Sequence, residues 1–334
     1  MAADESPDSE MQRQIDVLES LQGFVGENML LHPIEESWQP SDYLPKLEAE
    51  DWVDQVRAFR EPARGVSDDV LVVLVADMIT EEALPSYAVA LNLLARDFEG
   101  VSEKPWARWS RGWTSEENRH GDLLNAYLRL TGRVSMRSVE TTIHHLLNNG
   151  FNPLAYPDLY GGLIYTAFQE RATRISHANV GKLAAQEGER TLARICQRIA
   201  GDEARHEAFY TAVMGKVFEV DTECALATCR AMFRRIIAMP GRHMFDGEDP
   251  DLFAHFAAVA QRIGVYTVRD YASILTHLLK TWGVAALRVT GRAARAQDYL
   301  CGLPAHYEKL AEQVEESLAR AEPVRFAWIH GRSV

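Results

Sequence analysis

The chain has 334 residues, 47% of them hydrophobic, and a formal net charge of −13, so it carries enough apolar material for a large core and too much acid for a general phosphate-binding surface. Nucleic acid is thereby excluded as an expected partner, and so is a membrane span, because no run reaches the roughly 18–20 apolar residues required and the greasiest stretch, Val70–Ile79, is broken by Asp77. Four cysteines without a C-x-x-C pair exclude a disulfide framework and a zinc ribbon.

Apolar residues recur at helical spacing almost throughout, and alternating β-branched runs closed by turn dipeptides are scarce, which predicts an all-α fold of about ten helices. The acidic N-terminus has neither a basic and apolar signal nor an Arg-rich transit character, so a cytoplasmic location is expected. Residues 1–30 read as helical but polar and weakly anchored, and the Trp38-Gln-Pro40-Ser-Asp-Tyr-Leu-Pro45 stretch as an irregular loop.

A long helix is predicted from Ser67, a suitable N-cap, to Phe98, and the next from Pro105 to about Leu130, stopped by Thr131-Gly132. A shorter one follows over Ser135–Leu147. Beyond the connector holding Gly150, Pro153 and Pro157 come two long helices, about Leu159–Gln186 and Glu189–Phe218, divided at Gly188. Shorter helices are expected at Thr222–Ile237, Pro250–Ile263 and Val268–Leu279, then a polar one over Ala293–Ala321 and a short strand at Phe326–Ile329. No composition shift marks a boundary, so residues 1–334 read as one domain: a four-helix bundle core over 67–218, with the helices and tail of 219–334 packed on it. Lysine makes up only six of the 35 basic residues, an arginine-rich usage that fits a GC-rich bacterial genome.

Two segments repeat the pattern acid-Glu-x-Arg-His: Glu116-Glu117-Asn118-Arg119-His120 and Asp202-Glu203-Ala204-Arg205-His206. One Glu-x-x-His is weak, since a glutamate-rich chain with eleven histidines contains one by accident; two five-residue copies are not so explained. On a helix, residues three apart share a face, so each carboxylate and imidazole can meet on one metal ion. Each motif has an upstream glutamate on the preceding helix, Glu81 or Glu82 for the first and Glu170 for the second. A glutamate from each of two helices and Glu-x-x-His from two more is the known pattern of ferritin-like di-iron and di-manganese proteins. Four carboxylates offset two divalent cations, and the histidines favour iron over magnesium or calcium. Glu116 also lies on the His120 face, but Glu117 has the offset that Glu203 has in the second motif.

At these residues the sequence resembles the soluble acyl-acyl carrier protein desaturases, best known from plants. The resemblance rests on Asp77-Met-Ile-Thr-Glu-Glu-Ala-Leu-Pro85, Trp113-Thr-Ser-Glu-Glu-Asn-Arg-His-Gly-Asp122, Phe168-Gln-Glu-Arg-Ala-Thr-Arg-Ile-Ser-His177 and Asp202-Glu-Ala-Arg-His-Glu207, with weaker echoes from about residue 30 onward. It implies a ferritin-like di-iron site with two Fe2+/Fe3+ ions per chain on Glu81, Glu117, His120, Glu170, Glu203 and His206. It implies a threonine at the oxygen-binding face, Thr173, and an electron path through Trp38, Asp202 and His120. Its acyl tunnel corresponds to Ala90, Leu93, Leu94, Pro153 and Gly162; Ala90 and Leu93 differ from the plant residues, so chain length and bond position stay open.

The reaction implied is O2-dependent insertion of a cis double bond into a saturated acyl chain on acyl carrier protein, in fatty acid biosynthesis. A long acyl chain free in water would aggregate, which fits a carrier-bound substrate, and an acidic carrier needs a local basic patch, for which Arg234, Arg235 and Arg242 are candidates. No G-x-G-x-x-G turn offers a nucleotide site, so electrons come from outside; the resemblance implies ferredoxin, and a homodimer. The alternative reading is a di-iron oxygenase acting on another carrier-bound or small metabolite.

Overall fold

The computed structural model describes residues 7–153, 156–318 and 322–334. Thirteen helices carry the described chain: α1 Pro7–Ser20, α2 Gln22–Glu27, α3 Trp52–Ala63, α4 Asp68–Glu82, α5 Leu84–Ala95, α6 Pro105–Thr131, α7 Met136–Asn149, α8 Leu159–Gln186, α9 Arg190–Val220, α10 Thr222–Arg234, α11 Leu252–Arg262, α12 Val268–Thr281 and α13 Gly291–Leu318. Among the described residues the only sheet is a two-stranded ribbon, β1 Arg325–Phe326 against β2 Arg332–Ser333.

The expected all-α architecture is what forms. α4, α6, α8 and α9 make the bundle, α8 and α9 being the most extensively packed pair; α10 and α12 lie against that pair, and α13 packs on α10 and α12. The close approach of α8 to α9 needs Gly181, where an added Cβ would stand 3.0 Å from Cys196 Cβ and 3.2 Å from the Ala193 carbonyl oxygen. Helix starts follow side-chain caps: Ser67 accepts from Val70 N–H, Asp158 from Gly161 N–H, and Thr267 forms a capping box with Asp270.

Three expectations need correction, and one element is added. The single helix Ser67–Phe98 is two, because Pro85 lacks an N–H and its ring would strike the Glu81 carbonyl; the chain breaks after Glu82 and α5 ends at Arg96, in the left-handed region. The N-terminal segment is well anchored in its described part: Leu18, Leu21 and Val25 are buried, the Gln14 amide donates to Asp158 while its carbonyl accepts from Leu159 N–H, and Trp106 Nε1 donates to the Leu18 carbonyl. Between the Trp38–Pro45 loop and the bundle the chain adds α3, a segment to which the sequence assigned no element. In the tail, Phe326 alone of Phe326–Ile329 is strand, the rest being a 3₁₀ turn that buries Trp328. The predicted end of the last helix beyond Leu318, like the extreme N-terminus of residues 1–6, falls outside the described residues.

That tail is a clasp. Trp328 Nε1 donates to Thr142 Oγ1 at 2.9 Å, its carbonyl accepts from Ser135 N–H at 2.7 Å, and Arg332 grips Asp68 in the first turn of α4. Trp328→Ala should cost about 3–5 kcal/mol, the usual range for emptying a buried tryptophan site, read as a lower urea midpoint at unchanged m value.

Candidate metal centre

Glu117 and His120 stand one turn apart on α6, Glu203 and His206 one turn apart on α9, Glu170 at mid-α8, and Glu81 on the last turn of α4; all six are buried. Their side chains converge as two groups, Glu81, Glu117, His120 and Glu203, and Glu117, Glu170, Glu203 and His206, and within each the ligand-type atoms lie within 4.8 Å of one another. Glu117 and Glu203 belong to both, so the geometry suits a pair of cations sharing carboxylates.

The chemistry of the donor set fits cations. Glu117 Oε1, both oxygens of Glu203, His120 Nδ1 and His206 Nδ1 are buried without a hydrogen-bond partner. They are nonetheless close to one another: His206 Nδ1 is 2.8 Å from Glu117 Oε1 and 3.5 Å from Glu170 Oε2, and His120 Nδ1 is 3.3 Å from Glu203 Oε1. Orphaned buried charge on this scale is costly unless something cationic sits among it. Burial, reinforced by Glu203, pushes the Glu117 carboxyl up to about 7, and burial with Glu117 and Glu203 lifts Glu170 well above the usual range. Burial opposes charge on the imidazoles too, yet contacts to Asp202, Glu203 and Glu81 raise His120, and contacts to Glu116, Glu117, Glu170 and Glu203 raise His206. Carboxyls and imidazoles raised together mark a donor set whose negative charge is balanced best by cations among it.

The outer nitrogens are fixed crosswise. His120 Nε2 is 3.3 Å from Asp202 Oδ2, and His206 Nε2 is 2.9 Å from Glu116 Oε2. Each motif's leading acid therefore braces the other motif's histidine, holding Nε2 as donor and leaving Nδ1 for the centre. Arg205 Nη2 ties the two acids together, at 3.0 Å from Glu116 and 2.6 Å from Asp202. Glu116, the rival of Glu117 in the sequence, is thus an outer partner. Glu82, the rival of Glu81, points away and accepts from Asn125. Trp113 Nε1 donates to Glu170 at 3.0 Å.

Trp38 is brought to this centre although it lies in a loop. Its Nε1 donates to Asp202 Oδ2 at 2.7 Å, and its ring lies parallel to His120, 6.1 Å between centroids. Trp38, Asp202 and His120 are therefore contiguous. His32, Tyr43, Arg194, Arg198 and Arg205 surround Asp202 at a surface depression.

Sequence reasoning missed a partner of Glu81. His177 Nε2 lies 2.8 Å from Glu81 Oε1, and the adjacent Ser176 hydroxyl donates to Asp77. The signal was present: His177 is two turns beyond Glu170 on the same face of α8, and Asp77 one turn before Glu81. Burial lifts the Asp77 carboxyl to about 6 from 3.8, with His177 and Ser176 pulling the other way. A raised carboxyl pKa favours the folded state only while protonated, so the penalty grows as pH climbs from about 4 to about 6 and amounts to about 3 kcal/mol above that, at 1.36 kcal/mol per unit. Asp77→Asn should stabilise the metal-free protein by up to that amount at about pH 7.5 and by little at about pH 4, measured by urea unfolding.

A cavity of about 550 Å³ opens beside Glu81 and Thr173, within the usual range for a ligand site. Its wall is mostly apolar, including Ile237, Met239, Phe253, Phe256, Ala260 and Tyr271, while Arg235 and Arg242 also border it. Thr173 faces this space, and its hydroxyl donates within its own helix, to the Gln169 and Glu170 carbonyls. None of Ala90, Leu93, Leu94, Pro153 and Gly162 lines the cavity; Leu94, Pro153 and Gly162 are buried, while Ala90 and Leu93 are half-buried on α5. Arg234 is exposed and outside the cavity wall.

Comparison with known proteins gives a consistent result. The profile of a fatty acid desaturase family matches residues 13–330. Stearoyl-[acyl-carrier-protein] 9-desaturase 1, chloroplastic, of Arabidopsis thaliana is 50% identical over 328 residues, covering 96% of this chain and 83% of that protein. The corresponding 9-desaturase of Spinacia oleracea is 48% identical over 328 residues, 97% of this chain and 82% of that one. Among solved structures, the acyl-ACP desaturase DesA2 of Mycobacterium tuberculosis H37Rv superposes with a TM-score of 0.52 at 21% identity, over 84% of this chain and 99% of that one, a likeness of fold.

Proposed function

The chain belongs to the fatty acid desaturase family, and from that premise we propose that it is an acyl-[acyl-carrier-protein] desaturase, using O2 to place a cis double bond in a saturated acyl chain. The observation that carries this reading is the cavity: a largely apolar space, large enough for a ligand, that borders the paired carboxylate–histidine groups at Glu81 and Thr173. A storage protein oxidising only iron has no use for such a space.

Glu81, Glu117, His120, Glu170, Glu203 and His206 would hold two iron ions. Those ions, cycling between ferrous and ferric, supply the O2-derived oxidising power that attack on unactivated methylenes requires and no side chain has. The remaining work falls to the chain's own groups. The apolar wall excludes water and holds one carbon pair against the centre, converting a diffuse encounter into a fixed one. Asp202 and Glu116 keep the imidazoles in the tautomer with Nδ1 free. Thr173 stands where the substrate and the metal site meet.

Ferredoxin is proposed as the electron donor. Trp38, Asp202 and His120 form a contiguous route, and Arg194, Arg198 and Arg205 around its outer end suit an acidic protein. A homodimer is proposed as well: Val89, Phe98 and Val101 are 74%, 79% and 70% exposed along α5 and its outlet, an apolar surface that a second copy would cover. Sedimentation would test it. The free state of all four cysteines fits a reducing compartment such as the cytoplasm. No described helix is long and apolar enough to cross a membrane.

The far end of the acyl chain is assigned by resemblance to Ala90, Leu93, Leu94, Pro153 and Gly162. If it passes there, Leu94→Phe will shift the preferred chain to a shorter length; an unchanged chain-length profile retires the assignment. The reading as a whole is tested by supplying the iron-loaded protein with acyl carrier proteins of several chain lengths, ferredoxin, its reductase and NADPH, and locating double bonds by mass spectrometry. Oxygenated rather than unsaturated products would indicate a di-iron oxygenase instead, and no product from any chain would sink both.

A further inference from the structure

Two sets of aromatic rings reach the carboxylate–histidine cluster, one at each histidine. Trp38 stacks on His120 and carries the Arg119 guanidinium over its face, 5.0 Å from the ring centroid. At the other histidine, the Trp109 and Trp113 rings lie 6.2 and 6.4 Å from His206, and Trp113 Nε1 donates to Glu170. Tyr210 touches both, 6.1 Å from Trp113 and 5.7 Å from Trp109 between centroids. From Trp109 the rings continue through Phe209, stacked on it at 3.5 Å, to Trp106, 6.0 Å further on, whose Nε1 donates to the Leu18 carbonyl of α1.

Packing does not account for this choice of rings. Trp109 Nε1 and the hydroxyl of Tyr87, whose ring stands 6.1 Å from Trp113, are buried with no hydrogen-bond partner among the described residues. Each such orphan costs about 1–3 kcal/mol, which phenylalanine in its place would not. What tryptophan and tyrosine have, and phenylalanine lacks, is a ring that can give up one electron together with an N–H or O–H proton.

Their surroundings sort the two sets. A cation over the face of Trp38 disfavours removing an electron from that ring, which suits a ring that passes electrons inward. No described cation–ring contact involves Tyr87, Trp106, Trp109, Trp113 or Tyr210, so that obstacle is missing on the His206 side.

We propose that Trp113, Tyr210 and Trp109, with Trp106 at the far end, form a second redox site, which supplies electrons to oxygen activated at the centre when no acyl chain fills the cavity. The proposal rests on the O2-dependent function argued above and adds how the ligands are spared when that reaction has nothing to act on. Reducing O2 to two waters takes four electrons and four protons. The donor supplies two electrons and solvent two protons; the acyl chain, by losing two hydrogen atoms, supplies the rest. With the cavity empty, two rings supply that remainder, one electron and one N–H or O–H proton each. The neutral radicals left on them are refilled by the donor, with one electron and one solvent proton apiece.

The test uses the iron-loaded full chain, reduced, freed of excess reductant and mixed with O2, with and without acyl-carrier protein. Without it, freeze-quenched wild type should show the electron paramagnetic resonance signal of tryptophan or tyrosine radicals, and peptide mass spectrometry should find oxygen added at Trp106, Trp109 or Tyr210. Saturating acyl-carrier protein should lower both several-fold. Trp109→Phe and Tyr210→Phe keep a ring in place and remove the oxidisable group. With iron content and desaturation at saturating substrate unchanged, each should lose activity several-fold faster than wild type when cycled with reductant and O2 alone, with oxidation moving to His206. Oxygen uptake with no more ring oxidation than in zinc-loaded protein would overturn the relay alone, as would equal inactivation of variants and wild type. Ring oxidation undiminished by acyl-carrier protein would overturn its link to an empty cavity. A reduced iron protein that takes up no O2 would overturn the function, and the relay with it.

Discussion

Glu203→Ala is expected to remove both metal ions at once and take turnover to background. Glu203 is one of the two carboxylates common to both ligand groups, and neither of its oxygens has a hydrogen-bond partner to compensate for burial. Its loss takes an anionic ligand from each position, whereas Glu81→Ala and Glu170→Ala each impair one group. Iron per chain after reconstitution, with the metal-dependent rise in thermal midpoint, provides the check: a ligand bound to the folded state at a hundred times its dissociation constant adds about 2.7 kcal/mol, and Glu203→Ala should forfeit it for both ions. Two tightly held irons per chain in this variant, with normal turnover, would remove Glu203 from the ligand set.

The second large effect is expected at Asp202. Its carboxylate accepts from Trp38 Nε1 and faces His120 Nε2, and although burial opposes ionisation, its contacts with His120, Arg205 and Trp38 hold it well below the usual range. Asp202→Ala therefore unlinks Trp38 from the centre and frees the His120 ring to change tautomer. Losses of about 10- to 100-fold are typical when such an outer partner of a metal-binding histidine is removed. Trp38→Phe separates the two roles, because it keeps a ring beside His120 and removes only the N–H. Turnover driven by ferredoxin should fall in both variants, but product from a single turnover of chemically reduced protein should fall only in Asp202→Ala. If Trp38→Phe matched the wild type with ferredoxin, the electron route would have to be sought elsewhere.

The convergence of the buried carboxylates and histidines was legible in the sequence because helical periodicity is local. Residues at i and i+3 share a face whatever the tertiary arrangement, so each Glu-x-x-His pair announces itself, and two copies of the leading acid and following arginine point to one shared purpose. What the leading acid does was not legible, since Glu116 and Asp202 act across the bundle on the histidine of the opposite motif. The Glu81–His177 contact is likewise between helices, although the registers of α4 and α8 contain it. The break after Glu82 went unread because the apolar pattern continues through Pro85 into α5, and periodicity outweighed the one residue that cannot continue a helix. α3 was lost for the opposite reason: Pro62 and four charged residues among its twelve interrupt the apolar pattern, and burial is confined to Ala63.

The proposed electron route through Trp38 and Asp202 and the proposed acyl cavity meet the carboxylate–histidine cluster at different residues, the first at His120 and the second at Glu81, and the depression around Asp202 and the cavity share no lining residue. Donor and carrier need not queue for one doorway. Raising the concentration of either should not displace the other, so initial-rate plots against the two partners should intersect instead of running parallel, and excess unacylated carrier should compete with acyl-carrier protein alone. On that proposal a carrier would stay seated while successive donors call at a separate opening, and a half-reduced enzyme would have no reason to release its cargo.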